Sequence, residues 1–243
     1  MPDDPPIAIV LETAYGRMIV NRHDNHRVAN LVRSGRAHDH REIELLAHCV
    51  ALWGGQGVVL DVGANVGTHT LALAAVIGPG RQVHAFEPQR AIFHMLAGSV
   101  ALNGRVNVRC HNIALGERDG DIALPGIDYT APQNFGAVSF AAAPPPRPGW
   151  DSVPIRRLDG LGFQDVALIK IDVEGMEMRV LDGAAETIQR TRPLIYIEHS
   201  HVDAVALKAR IEAWGYAAHP DDINFVCIPR ELAGKIPVNA RQA

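Results

Sequence analysis

From Gly57 onward, short apolar segments alternate with longer stretches in which apolar residues recur at helical spacing. The apolar segments are rich in β-branched residues and predict five strands. In order, these segments are Val58–Asp61, Val83–Phe86, Val106–Cys110, Ala167–Ile171 and Leu194–Ile197. The stretches that predict helices are Thr68–Ile77, Pro88–Asn103, Met176–Arg190 and Val202–Trp214. Such alternation predicts a parallel sheet with helices on both faces.

Two further apolar segments follow the last helix, Tyr216–Ala218 and Phe225–Ile228. The connection between them is too short for a helical crossover, so we expect them to be antiparallel. The predicted fold class is therefore α/β and Rossmann-like. Its sheet is mostly parallel and seven-stranded, with an antiparallel edge strand.

Residues 1–56 form a separate N-terminal region in this prediction. Ile7–Leu11 and Arg17–Val20 flank a turn and predict a hairpin. Asp39 and Glu42 have the spacing of a capping box, which predicts the start of a helix. We expect this hairpin and helix to pack over the substrate side of the domain that follows.

The main domain is assigned to residues 57–229 and contains an insertion at 120–154. The segment Ala141–Pro148 is too rich in proline for a helix or a central strand. The insertion is therefore interpreted either as a flexible surface loop or as a substrate lid. Residues 230–243 are predicted to form a weakly anchored tail.

The composition favours a soluble, cytoplasmic protein with a sizeable core. Hydrophobic residues make up 47% of the chain and charged residues 21%. The net charge of −4 counts against nucleic acid or anionic lipid as a partner, because both attract clustered lysine and arginine. The acidic, proline-rich start is unlike a signal peptide, and no apolar run has the length of a membrane span. The three cysteines are far apart and predict reduced thiols.

A glycine-containing turn between the first predicted strand and its helix indicates a ligand site. Gly63 and Gly67 let the backbone turn sharply, and the following helix directs its first amides toward the same space. Glu87 ends the next strand, about twenty residues further on, where a carboxylate can accept both hydroxyls of a ribose. The unit therefore predicts a ligand that contains a nucleoside.

The residues of the turn distinguish between two nucleoside cofactors. Asn65 stands where the dinucleotide fingerprint requires a glycine, and Asp61 just before the turn would repel a pyrophosphate. Both features favour the cationic S-adenosylmethionine over NAD. In the alternative interpretation Asp61 only forms the turn and the glycines only pack.

Asn112 follows the third predicted strand, at the edge of the sheet that would border the ligand. Its amide could pair with the edge of an adenine, or it could simply cap a turn. Spacing alone leaves both interpretations open.

Four segments together resemble the FkbM family of methyltransferases. They are Val59–Gly67, Ala85–Pro88, Asn112–Gly116 and Leu168–Gly175, of which the last is the most diagnostic. The resemblance covers roughly residues 57–198 and implies a Rossmann-like class I methyltransferase fold. It also implies O-methylation of sugars or natural-product hydroxyls. By match to the motifs, the implied cofactor-binding residues are Asp61, Gly63, Asn65, Gly67 and Glu87.

Candidates for the chemistry follow the fourth and fifth predicted strands. Asp172 could hold the ammonium group of the cofactor, orient an acceptor hydroxyl or bind a divalent ion. Glu174 is either catalytic or favoured by the dipole of the next helix. His199 is the candidate general base, because imidazole titrates near neutral pH. Asp172, Glu198 and His199 could together ligate Mg²⁺, although nothing in the spacing requires a metal.

The sequence therefore predicts an S-adenosylmethionine-dependent methyltransferase acting on a small-molecule or sugar hydroxyl. The alternatives are N-methylation of a small molecule, peptide or RNA, an NAD-dependent dehydrogenase, and a non-catalytic module that only binds the cofactor. The identity of the acceptor and the oligomeric state, a homo-oligomer included, are not fixed by these residues.

Overall fold

The structure is a computed structural model that describes residues 6–53, 56–139 and 150–234. Its centre is a seven-stranded sheet, and the strands are numbered in chain order. From one edge to the other they are β11 (Tyr216–Asp221), β12 (Asn224–Pro229), β10 (Leu194–Glu198), β9 (Val166–Ile171), β3 (Val58–Val62), β4 (Val83–Phe86) and β5 (Val108–His111).

The direction of the strands agrees with the prediction. β12 runs antiparallel to both of its neighbours, β10 and β11. The strands β10, β9, β3, β4 and β5 all run parallel to one another. Only two residues separate β11 from β12, which is too few for a crossover. The predicted α/β class with a mostly parallel sheet is confirmed.

Helices cover both faces of this sheet. One face carries α2 (His40–Trp53), α3 (Thr68–Ile77) and α4 (Arg90–Leu102). The other carries α5 (Glu177–Asp182), α6 (Ala185–Thr191) and α7 (Ala204–Ala213). All six residues of β9 are buried because helices pack on both of its faces, which explains why its sequence is almost continuously apolar.

The single helix predicted over Met176–Arg190 is wrong, because the structure has two helices that meet at Gly183. A Cβ atom at Gly183 would lie 1.9 Å from the carbonyl oxygen of Gly116, so the chain approaches a neighbouring loop too closely for a side chain. The Asp159 carboxylate then accepts hydrogen bonds from two amides at the start of α6. The apolar pattern continues through the break, because both helices face the same side of the sheet.

The N-terminal hairpin is present as β1 (Ala8–Thr13) and β2 (Gly16–Asn21), followed by α1 (Arg27–Ser34). The hairpin lies on α4, where the amide of Ile19 donates to Ser99 Oγ at 2.8 Å. The N-terminal region therefore packs on the same face of the sheet as α2 and α3.

The capping box predicted at Asp39 and Glu42 is wrong, although helix α2 does begin beside it. Asp39 Oδ2 instead accepts from Arg27 at 3.0 Å. Glu42 Oε2 accepts from the side chain of Asn224 at 3.3 Å, so it turns toward β12. Tertiary partners have taken both carboxylates away from the helix end.

Part of the insertion forms a second sheet that the sequence does not predict. Its strands are β6 (Ala114–Leu115), β7 (Gly120–Leu124) and β8 (Asp151–Arg156), with β8 in the middle. The proline-rich segment Ala141–Pro148 lies outside the described residues. The insertion thus has a structured base that is attached to the end of β5.

The described part of the expected tail continues in contact with the domain. Arg230–Leu232 form a short 3₁₀ helix, Leu232 is buried, and Glu231 pairs with Arg192 at 2.7 Å. Within residues 6–53, 56–139 and 150–234, no helix combines the length and apolar character needed to cross a lipid bilayer.

Candidate active site

A cleft opens at the carboxyl ends of β3, β4 and β9. Ligands bind at this edge of open α/β sheets, because the loops after neighbouring strands diverge there. The lining residues supplied by these three strand ends include Gly63, Asn65, Phe86, Glu87 and Asp172. The strand–turn–helix unit predicted from the sequence therefore forms one wall of the cleft.

The turn after β3 lies directly against the turn after β9. Gly63 has a φ of +79°, and a Cβ atom there would lie 1.8 Å from the carbonyl oxygen of Asp172. Asn65 also has a positive φ of 49°, and its side-chain oxygen accepts a hydrogen bond from the next amide. This wall is consequently built mainly from backbone, which lets a ligand approach closely.

Glu87 has the geometry expected of a ribose-binding carboxylate. It is only 4% exposed, and its two oxygens accept from the amides of Asn65 at 2.9 Å and Gln89 at 2.8 Å. Burial raises the pKa of Glu87 to about 7, although these two amides oppose the shift. Each oxygen can accept a further hydrogen bond. Neighbouring acceptors of this kind suit the two hydroxyls of a ribose.

An apolar surface lies beside Glu87 in the same cleft. It is formed by Phe86, Ile113, Leu115 and Met176. Apolar walls with a few fixed polar groups are typical of small-molecule sites. An adenine base could pack on this surface while its ribose reaches Glu87, so the residues present fit a nucleoside ligand.

Asp61 lies beneath the glycine turn, behind the wall of the cleft. It is fully buried, accepts a hydrogen bond from Thr70 at 2.6 Å and forms an ion pair with Lys170 at 3.3 Å. Lys170 also pairs with Asp172 at 3.5 Å and donates to the Gly63 carbonyl at 2.9 Å. The lysine in the apolar strand β9 therefore balances two carboxylates and holds both turns in place. Asp61 therefore influences the cleft indirectly, because it helps to position Lys170.

Asp172, one of the predicted catalytic residues, lies in the cleft wall together with Glu87. Burial alone would raise the pKa of Asp172, but Lys170 and a hydrogen bond with Glu198 lower it. Burial and the neighbouring Asp172 raise the pKa of Glu198. A proton on this pair thus resides on Glu198, and Asp172 is the ionised member that faces the cleft.

Glu174 also lines the cleft, where it has a positive φ of 53°. Its Oε2 lies 3.0 Å from His201 Nε2. Burial and the nearby Asp172 raise the pKa of Glu174 to about 7. The turn that carries it is closed by Glu177, whose Oε1 accepts from two amides of the turn at 3.1 and 3.2 Å. Sequence reasoning misses this role of Glu177.

Three predicted site residues lie away from the cleft wall. Gly67 begins α3 with a φ of +94°, and a Cβ atom there would lie 2.6 Å from Leu96 Cδ1. Asn112 donates to the two backbone carbonyls that follow β4, at 2.9 and 3.0 Å. The ring of His199 packs against Phe225 with centroids 4.4 Å apart. Gly67 and Asn112 therefore support the turns around the cleft rather than line it, and His199 lies outside the lining.

Arg27 is a lining residue that no sequence motif points to. It comes from the N-terminal region and is paired with Asp39 at 3.0 Å, and both side chains are largely buried. Burial would raise the pKa of Asp39, but Arg27 and His69 lower it strongly. Arg27 therefore lines the cleft with Asp39 as its counter-ion, and only the tertiary structure reveals this position.

The insertion supplies a further wall. Gln89 Nε2 donates to the Phe135 carbonyl at 2.8 Å, and the Tyr129 hydroxyl donates to Gln89 Oε1 at 3.2 Å. These bonds tie the insertion to the start of α4, so that Gly136 and Val138 line the cleft. The described part of the insertion therefore lines one side of the cleft.

The parallel sheet with one antiparallel strand, and the cleft at its carboxyl edge, define a Rossmann-like α/β fold. Residues 61–217 match the family model described as the methyltransferase FkbM domain. The chain belongs to the FkbM methyltransferase family. It is therefore a methyltransferase.

Several individual proteins are also similar to this chain. The chain is 28% identical over 199 residues to "Methyltransferase 1" of Beauveria bassiana, covering 73% of this chain and 80% of that protein. The structure resembles methyltransferase FkbM from Methylobacillus flagellatus KT, with a TM-score of 0.51 and 22% identity. That match covers 71% of this chain and spans 42% of the other chain. A further similar structure is a Pyrococcus abyssi tRNA (uracil-54, C5)-methyltransferase in complex with S-adenosyl-L-homocysteine, with a TM-score of 0.48 and 12% identity. That match covers 88% of this chain and 40% of the other chain.

Proposed function

We propose that this protein binds S-adenosylmethionine in the cleft and transfers its methyl group to a hydroxyl of a sugar or other small molecule. The observation that carries the proposal is the buried Glu87 carboxylate, which faces an apolar surface next to the glycine turn. Glu87 would bind the ribose hydroxyls, and the surface that includes Ile113 and Met176 would hold the adenine. When bound, the cofactor supplies a methyl group on a cationic sulfur, which is already an activated leaving group.

The charges along the cleft support a cationic ligand. Asp172 and Glu174 both line the cleft, and Lys170 behind Asp172 balances only part of the negative charge. Asp172 would orient an acceptor hydroxyl by accepting its hydrogen bond, which places the oxygen for an in-line attack. With the cofactor bound, the hydroxyl oxygen would bond to the methyl carbon as the carbon–sulfur bond breaks, the hydroxyl proton would pass to Asp172 and on to solvent, and S-adenosylhomocysteine would leave.

The size and polarity of the acceptor follow from two walls outside the sheet. The N-terminal region contributes Arg27, and the insertion contributes Gly136 and Val138. A cleft lined by Arg27 and by several carboxyl groups suits a small, oxygen-rich acceptor. The net charge of −4 counts against an RNA acceptor, because RNA binding depends on clustered positive charge.

Calorimetric titration with S-adenosylhomocysteine, beside NAD⁺, tests the cofactor. We expect binding of S-adenosylhomocysteine alone, and binding of NAD⁺ alone would refute the proposal. A panel of hydroxylated acceptors and their amino analogues then tests the reaction, with product mass as the readout. Replacement of Asp172 with asparagine should lower turnover on the hydroxylated acceptor. Methylation confined to the amino analogues would refute O-methylation, and cofactor binding without turnover on any acceptor would favour a non-catalytic module.

A further inference from the structure

A polar cluster lies at the rim of the cleft, where the chain leaves β9 and β10. Glu174, Glu198 and His201 each place one potential ligand atom there, and these three atoms lie within 4.8 Å of one another. Glu198 is 8% exposed, whereas the side chain of His201 is 50% exposed. The cluster therefore has a buried floor and an open side through which an ion can exchange with solvent.

Glu198 provides an independent sign of a missing partner. Its Oε1 accepts from Ser200 at 2.5 Å, but no donor among the described residues reaches its buried Oε2, and the neighbouring Asp172 offers only further carboxylate oxygens. A buried carboxylate oxygen without a donor is costly, and a bound cation removes that cost.

The distances suit one metal ion. Two ligand atoms at about 2.1 Å from an ion lie roughly 3.0 Å apart when adjacent and roughly 4.2 Å apart when opposite. His201 Nε2 and Glu174 Oε2 are 3.0 Å apart, and the full set spans at most 4.8 Å. Small side-chain rotations would bring all three atoms onto one ion.

We propose that Glu174, Glu198 and His201 bind a divalent cation of the Mn²⁺ type at the rim of the cleft. Carboxylates and water suit Mg²⁺, Ca²⁺ and Mn²⁺, whereas imidazole suits later transition metals, so this mixed set favours Mn²⁺ over Mg²⁺. In this proposal the histidine ligand is His201, which faces Glu174, rather than His199, which packs on Phe225.

The position of the ion suggests its role, and this role rests on the proposed function. Glu174 belongs both to the cluster and to the cleft wall beside Asp172. Three protein ligands leave positions for two neighbouring oxygens of an acceptor, such as a vicinal diol. A hydroxyl bound there would have a lower pKa and would release its proton to water before its oxygen attacks the methyl carbon.

Titration of the metal-free full chain with Mn²⁺ tests the site directly. Free Mn²⁺ has a characteristic electron paramagnetic resonance spectrum whose intensity falls on binding. We expect one bound ion, and at least roughly tenfold weaker binding after Glu198→Gln or His201→Asn. His199→Asn is the matched control and should leave Mn²⁺ affinity unchanged. Calorimetry with S-adenosylhomocysteine on each variant verifies that the cleft is intact.

Absence of Mn²⁺ binding in the native chain would overturn the proposal, and so would binding that neither variant weakens. If Glu198→Gln does not fold, His201→Asn keeps the test decisive, because His201 is half-exposed. Binding of S-adenosylhomocysteine without Mn²⁺ would refute the metal site alone. Binding of Mn²⁺ without S-adenosylhomocysteine would instead refute the proposed cofactor.

Discussion

Replacing Glu87 with glutamine tests how the buried carboxyl group controls cofactor affinity. Burial raises its pKa to about 7, and protonation replaces one of its acceptor positions with an O–H donor, which weakens its match to two ribose hydroxyls. Apparent affinity falls with the fraction of protein in the competent state, and about one molecule in eleven is ionised one unit below the pKa. We therefore expect the Kd for S-adenosylhomocysteine to fall roughly tenfold from pH 6 to pH 8, mostly below pH 7.

The glutamine variant should lose this pH dependence. Its amide nitrogen would also face a backbone amide, either that of Asn65 or that of Gln89, and could not accept from a ribose hydroxyl. Loss of one hydrogen bond to a charged group costs about 1.5–3 kcal/mol, which corresponds to roughly 10- to 150-fold in Kd at pH 8. Because the native protein binds S-adenosylhomocysteine more weakly at low pH, the ratio of the two Kd values at pH 6 should be about one tenth of the ratio at pH 8.

Calorimetric titrations of both proteins across this pH range make the comparison. The glutamine variant is its own control for other groups, since Glu174 also has a pKa near 7 and remains in both proteins. The readout is therefore the difference between the two slopes. Equal slopes, or a native Kd that does not change with pH, would refute the assignment of Glu87 as the titrating ribose ligand.

Three further predictions concern stability and catalysis. Asp39→Asn leaves Arg27 buried without its counter-ion and should lower the free energy of unfolding by about 3–5 kcal/mol in urea; a change below about 1 kcal/mol would show that the pair is not buried in solution. Gly183→Ala should destabilise the protein by about 1–3 kcal/mol in the same assay, whereas Gly80→Ala, with nothing within 4 Å of its Cβ, should have an effect within about 0.5 kcal/mol; equal effects would contradict the close backbone approach. His199→Ala should keep turnover within about threefold because the ring lies on Phe225, and a loss of about a hundredfold would restore its predicted role as general base.

The parts of the fold that follow from the sequence are those whose pattern is set by burial on both faces. β9 is buried at all six positions and β10 at all five, so their apolar runs are unambiguous. β7 and β8 belong to a small, partly exposed sheet and include Gly120 and Pro154, which gives no clear alternation. The break at Gly183 depends on a loop distant in sequence, so local periodicity continues across it.

Site residues, too, divide into those placed by local sequence and those placed by contacts distant in sequence. Gly63 and Glu87 belong to one local unit, and their spacing alone brings them to the cleft. Asp61 and Asn112 occupy the right strand ends, but the direction of each side chain is decided by tertiary partners such as Lys170. Arg27 reaches the cleft from a region without a motif, which no spacing rule could predict.

The place of β12 in the sheet has a consequence for how the chain is made. Synthesis proceeds from the N-terminus, so β10 emerges well before the strand that pairs with its free edge. Until Asn224–Pro229 has been added, one edge of the apolar segment Leu194–Glu198 lacks its partner. Such an edge is a template for pairing with another chain. The nascent protein should therefore depend on chaperone protection during this interval, and chains truncated before Asn224 should aggregate rather than merely unfold more readily.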